Sequence, residues 1–157
     1  MFMQYYLTSL IFLLFTLPAL AQPAVQSINS ADQQGINIAE IDAKYKSAIH
    51  ADPAKAVFAE LQPEFIKHYH ALILEAGNHL KKEGVQIENG TRMFTRIYFS
   101  SEGKIDHFFY SAEQAGFSDV QKQEFNEAMS KFLANYKLPI EAGEPFAQCS
   151  PVVYQLH

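Results

Sequence analysis

Residues 91 to 110, "TRMFTRIYFSSEGKIDHFFY", constrain the fold more than any other part of the sequence. Met93, Thr95, Ile97 and Phe99 fall on one side, and Arg92, Phe94, Arg96 and Tyr98 on the other. That is the alternation of an extended strand, whose successive side chains point to opposite faces. "SSEGK" follows, with Gly103 free to take the positive φ that tight hairpin loops require. Ile105 to Tyr110 then returns as a second strand. Aromatic residues stand on both sides of this hairpin, whereas a sheet wet on one face alternates more cleanly between apolar and polar. Both faces are therefore expected to be covered.

The flanking sequence supplies helices for that purpose. Asn37 and Glu40 have capping-box spacing, and Ile38, Ile41, Tyr45 and Ile49 recur at helical intervals, which predicts a helix over about 38–50. Asp52-Pro53 is a good helix start and predicts a short helix to about Leu61. From Pro63 onward, Phe65, Tyr69, Leu72, Ile73, Ala76 and Leu80 form one stripe, so 64–83 reads as the longest helix. Lys81, Lys82 and Gly84 close it, and Gly77 is a weak point inside it. Ser118 and Gln121 again have capping-box spacing, and Phe125, Met129, Phe132, Leu133 and Tyr136 carry a helix that stops at Leu138-Pro139. "PFAQCSPVVY", 145–154, reads as a last strand. Pro151 cannot donate to a ladder, so that strand is expected at a sheet edge or with a bulge. The order predicts an α+β fold: a small antiparallel sheet with helices packed on one face, a two-layer sandwich.

The chain opens with an uncharged stretch whose apolar run, Leu7 to Leu20, ends at Ala19-Leu20-Ala21, the small-x-small pattern of a signal-peptidase site. The run is shorter than the ~20 residues of a membrane-crossing helix. Residues 1–21 are therefore expected to be a signal peptide, 22–35 ("QPAVQSINSADQQG") a flexible leader, and 36–157 a single domain. The expected product is exported, periplasmic or extracellular, and meets a membrane only through the segment removed near Ala21. Its net charge is −5, with 12 scattered Lys and Arg. That excludes nucleic acid as a partner, because phosphate backbones demand clustered cations. Cys149 is the only cysteine, so no internal disulfide exists, and it is expected as a buried, small apolar side chain.

Catalytic groups are scarce. His68, Glu75 and His79 share one flank of the long helix, but His68 and His79 are eleven residues apart, or about 16 Å along its axis. One zinc, with bonds of about 2 Å, cannot join them. His68 and His70 share a face only on a strand, and the segment reads as helix. Asp106 and His107 are adjacent on a strand and point to opposite faces, which is wrong for an acid–base pair. No Gly-rich phosphate loop, Cys-x-x-Cys pair or Ser-elbow motif occurs. No catalytic, cofactor-binding or metal-binding residue is assigned.

With the hairpin "RIYFSSEGKIDHFFY", the helix end "FLANYKLP" and the turn "EAGEPF" ahead of the last strand, residues 91–154 resemble the TonB carboxy-terminal domain family. Glu102-Gly103 matches its turn, Tyr136 its aromatic helix end, Pro139 its proline, and Gly143 and Pro145 its Gly-x-Pro. The resemblance implies the fold and a small periplasmic module that captures an extended partner segment at an exposed sheet edge. It does not extend to energy transduction, because the family's proline-rich spacer is not found here. The expected function is thus a non-enzymatic binding module for a segment of an envelope protein. If the last strand is the docking edge, Val152, Val153 and Tyr154 are the contact residues. If Pro151 protects that edge, the opposite edge is the candidate. The alternatives are an exported carrier of an apolar ligand, suggested by the aromatic surplus, and a metal-dependent hydrolase using Glu75, His79 and a distant third group.

Overall fold

The structure is a computed structural model and describes residues 23–154; the expected signal segment, 1–21, lies outside them. The chain runs β1 (Ala24–Ser27), α1 (Ile28–Gln33), α2 (Ile38–Asp42), β2 (Lys46–Ser47), α3 (Gln62–Lys82), β3 (Thr91–Phe99), β4 (Ile105–Tyr110), α4 (Ala112–Ala115), α5 (Asp119–Leu133) and β5 (Phe146–Tyr154). The strands form one sheet in the order β1-β4-β3-β5-β2. The α+β class is as expected. The sheet is mixed rather than purely antiparallel, because the two outermost strands, β1 and β2, run parallel to β4 and β5.

The hairpin forms where the period-two pattern lies. Gly103 takes φ 83° in its turn, and Gly103 N–H donates to the Ser100 carbonyl at 2.9 Å. β3 is the central strand, paired along its length to β5 and along its second half to β4. Met93, Ile97 and Phe99 meet α3 and α5 in the main core, against Phe65, Leu72, Leu80, Phe125 and Met129. Both long helices thus lie on one face. Helix α5 starts at the expected capping box, Ser118 with Gln121; α3 begins with Pro63 in its first turn and is followed by Gly84 at φ 79°.

Helices are not confined to that face. Tyr98, Phe109 and Ala147 point the other way and are covered by Ala31, Ile28, Ile36, Ile38, Ile41 and Tyr45 of the α1–α2 segment. This second cover explains the aromatics on both sides of the hairpin, and it corrects three expectations. The segment expected as a flexible leader, 22–35, is structured from residue 23 on: it supplies β1, whose register with β4 runs Ala24–His107 to Ser27–Tyr110, and α1, capped by Ser27 Oγ accepting from Ser30 N–H. The helix expected over 38–50 ends at Asp42, and the chain then crosses the sheet edge as β2. The helix expected over 53–61 is a single 3-10 turn, Pro53–Lys55.

Candidate functional site

β5 is hydrogen-bonded to β3 on one side throughout. On its other side β2 covers only Phe146 and Ala147. Gln148 to Tyr154 therefore has an unpaired outer edge within the described residues. Its polarity follows from the ladder. Phe94 turns its backbone toward β4 and α4: its N–H donates to Gln114 Oε1 at 2.9 Å, and its carbonyl accepts from Ser111 N–H at 3.0 Å. Its partner across the ladder is Pro151, and in an antiparallel pair residues alternate between bonding their partner and facing away from it. Pro151 consequently faces outward, as do Cys149 and Val153. Ala147 agrees, since its carbonyl accepts from Ala48 N–H at 2.8 Å on the β2 side. Pro151 thus costs β5 no bond to β3.

The edge presents the N–H groups of Cys149 and Val153 and the carbonyls of Pro151 and Val153. The Cys149 carbonyl is already met by the side-chain amide of Gln148 at 3.2 Å. Missing donors and side chains that fold over the backbone both blunt an edge against indiscriminate pairing. The edge is narrowed rather than closed.

Helix α3 overhangs this edge. Phe65, Tyr69, Leu72, Ala76 and Leu80 face the sheet, as the sequence stripe requires. The adjacent row, Ile66, Ile73 and Gly77, borders the core: Ile66 and Ile73 are partly buried against it and Gly77 is buried. Between it and β5 lies a groove of about 600 Å³, within the usual range of ligand-binding clefts. Leu74, a large apolar side chain left 66 % exposed, forms its rim on the helix side, and the β5 backbone at Val153 borders it on the other; the Val153 side chain, 43 % exposed, turns to the opposite face of the sheet.

The groove lining holds no Asp, Glu, Lys or Arg. Its polar side chains are few: Tyr69 Oη lies 2.7 Å from Ser150 Oγ, and His70, Asn78 and Gln148 also belong to the lining. Burial raises the Tyr69 phenol pKa, opposed by its hydrogen bond to Ser150. Tyr154 is buried, its hydroxyl has no partner within the structure, and burial holds it protonated. The site is an apolar trough beside unpaired backbone.

The three residues named from the sequence divide. Val152 and Tyr154 turn their side chains into the core under α3, with their backbone bonded to β3. Val153 alone offers the edge both backbone groups, with its side chain exposed. Cys149 is exposed, not buried as expected. The α3 wall was missed, and its one signal was Leu74, an apolar residue off the main stripe. The flank residues separate: His68 Nε2 is 3.9 Å from Glu64 Oε1, and His79 packs on Phe132 with ring centroids 5.4 Å apart. Among the described residues no group of three His, Cys, Asp or Glu side chains is placed to hold a metal ion.

A polar cluster on the second face is occupied in holding α2. Asp42 accepts from Arg96 Nη1 and Tyr98 Oη, each at 2.7 Å. Tyr45 Oη donates to Asp106 at 3.0 Å. The register shift at Tyr98/Phe99 brings Asp106 to this face beside His107, so the two do not diverge as simple alternation predicted. Burial lowers the His107 pKa, and its ring stacks on Phe109. Comparison with family models, curated proteins and solved structures finds no match to this chain.

Proposed function

We propose that the chain is an exported, non-enzymatic binding protein that takes up an extended, uncharged segment of another protein along the outer edge of β5. The observation that carries this reading is the conjunction of unpaired backbone at Cys149–Val153 with the apolar groove under α3. An acyl chain or apolar small molecule could fill the groove, but it would leave the edge donors and acceptors to water. A peptide in extended conformation answers both, its backbone by strand addition and its alternate side chains in the groove. The absence of Asp, Glu, Lys and Arg from the lining sets the partner's chemistry, because an ionised group placed there would lose its hydration without a permanent counter-ion. The signal-like start and the resemblance of 91–154 to TonB carboxy-terminal domains support an envelope location and an edge-binding role. The apolar-ligand carrier stands as the second reading, on the groove's volume alone. The metal-dependent hydrolase has no ligand set among the described residues.

The test is selection of a displayed random-peptide library on the purified protein, followed by binding of the enriched peptides to Val153→Pro. That substitution removes the outward Val153 N–H and leaves the β3 ladder intact. Uncharged sequences of alternating apolar residues that lose roughly tenfold in affinity, the worth of about one hydrogen bond, are the expected result. Enriched peptides that bind Val153→Pro unchanged, or none at all while fatty-acid probes bind, would overturn it.

A further inference from the structure

Gly77 lies well inside α3, where glycine is the least favourable residue after proline. Nothing in the backbone asks for it: the glycines with positive φ are Gly35, Gly84, Gly90, Gly103 and Gly116, and Gly77 is not among them. It lines the groove, on the same helical row as Ile66 and Ile73. At residue 77, buried at the groove wall, that row carries no side chain.

Its level against the sheet can be worked out. Tyr69 is bonded to Ser150, and Phe65, one turn earlier, packs on Phe146 at 6.0 Å, so α3 and β5 run in the same direction. From Tyr69 to Gly77 the helix rises about 12 Å, and from Ser150 to Tyr154 the strand advances about 13 Å. Gly77 therefore lies level with the Val152–Tyr154 end of the open edge. In a strand added there, residues in line with Val152 and Tyr154 project to the α3 side, as those two residues themselves do.

We propose that the docked segment carries one large, uncharged apolar side chain, of the phenylalanine or leucine class, that enters the groove over Gly77 as its anchor. This rests on the strand-addition reading above and adds the residue that sets its selectivity. Leu74 closes over the anchor from the helix rim, removing its own exposed surface from water. A few deeply buried anchors commonly dominate the affinity of such contacts.

The probe is a blocked peptide of alternating threonine and valine with a central guest position filled by Ala, Val, Leu or Phe. Its binding is measured by calorimetry to the purified wild-type protein, to Gly77→Ala and to Gly77→Leu. On wild type, Leu and Phe guests are expected to bind at least about tenfold tighter than Ala. Gly77→Leu should erase that preference and leave the Ala guest within about threefold of its wild-type affinity. Gly77→Ala, which favours the helix and so tests the idea if the leucine variant does not fold, should reduce the preference for Phe. Equal binding of all guests to wild type, or a preference unchanged by either substitution, overturns the anchor alone. Failure of every guest to bind wild type overturns the strand-addition reading, and the anchor with it.

Discussion

Replacing Val152 and Val153 in turn by proline tests the polarity assigned to the β5 edge, on which the functional reading depends. The two are neighbours with the same side chain, and they differ in where the backbone N–H points. Val152 faces β3, opposite Met93, which is fully buried. Proline there deletes a ladder bond and leaves a buried carbonyl unpaired, a loss of about 1–3 kcal/mol, to which the misfit of a fixed φ inside a paired strand adds. A total of roughly 3 kcal/mol is a large share of the ~5–15 kcal/mol that holds a domain of this size together. Val153 donates outward, where water is its partner, and Pro151 already shows that proline is accepted at an outward position. Its substitution should cost no more than about 1 kcal/mol, mostly from the shift in φ.

Urea unfolding followed by far-ultraviolet circular dichroism reads the contrast as two midpoints at a common slope. The expected pattern is a large drop in midpoint for Val152→Pro and a small one for Val153→Pro, with peptide affinity lost in the second variant although its fold survives. Equal destabilisation of both variants would refute the alternation derived from Phe94 and Pro151. Destabilisation of Val153→Pro alone would reverse it and place the open edge on the wrong residues.

Gly103→Ala should be among the most damaging single-methyl changes. The residue holds φ 83°, and a Cβ there would lie 2.6 Å from the Leu138 carbonyl oxygen, a backbone atom tied back by the 2.9 Å bond from Leu138 N–H to the Gly103 carbonyl. A loss of about 2–4 kcal/mol in urea unfolding is expected, and a loss below about 1 kcal/mol would mean the turn adapts. Alkaline pH should also weaken the fold. Burial first, then Asp106, pushes the Tyr45 phenol up to about 12, and burial first, then Glu75, does the same for Tyr136. A pKa raised by folding contributes stability that is complete below the ordinary value of 10 and lost as pH rises through about 12. Unfolding midpoints should therefore fall across that window in step with phenolate absorbance; phenols that all titrate at their ordinary value in the folded protein would contradict the packing of both residues.

What the sequence shows depends on whether one segment carries its own signal. The β3–β4 hairpin, α3 and α5 were legible because each has a long periodic stripe and a turn or cap within a few residues. Ile38, Ile41, Tyr45 and Ile49 mimic such a stripe for a different reason. The first three cover the second face of the sheet, and Ile49 packs with the main core after the chain has passed around the edge. Their spacing reflects a wrap, not a helix, and tertiary contacts override the local pattern. β1 was missed because four residues held by backbone bonds to β4 need no side-chain alternation. The groove was beyond reach for a similar cause: one wall is 66–78 and the other 148–154, and only their meeting makes Leu74, Gly77 and Val153 a site.

Pro151, the clearest omen in the sequence, turns out to serve both readings that the sequence left open. An exposed strand edge invites pairing with any other edge, including that of a second copy. If two copies paired antiparallel with Pro151 opposite Pro151, each would lack the donor the other needs, so the centre of such a dimer would lose both of its hydrogen bonds. A partner segment without proline at that level forfeits only one, and the bonds at Cys149 and Val153 remain to it. Gln148, folded onto the Cys149 carbonyl, adds a second cost that falls on any incoming strand and must be offset by something other than backbone pairing. Only a segment with apolar side chains for the groove has that offset available. The blunted edge thus makes the trough under α3 a condition of binding, and that is how an unpaired strand stays open to one class of partner without becoming a general site of aggregation.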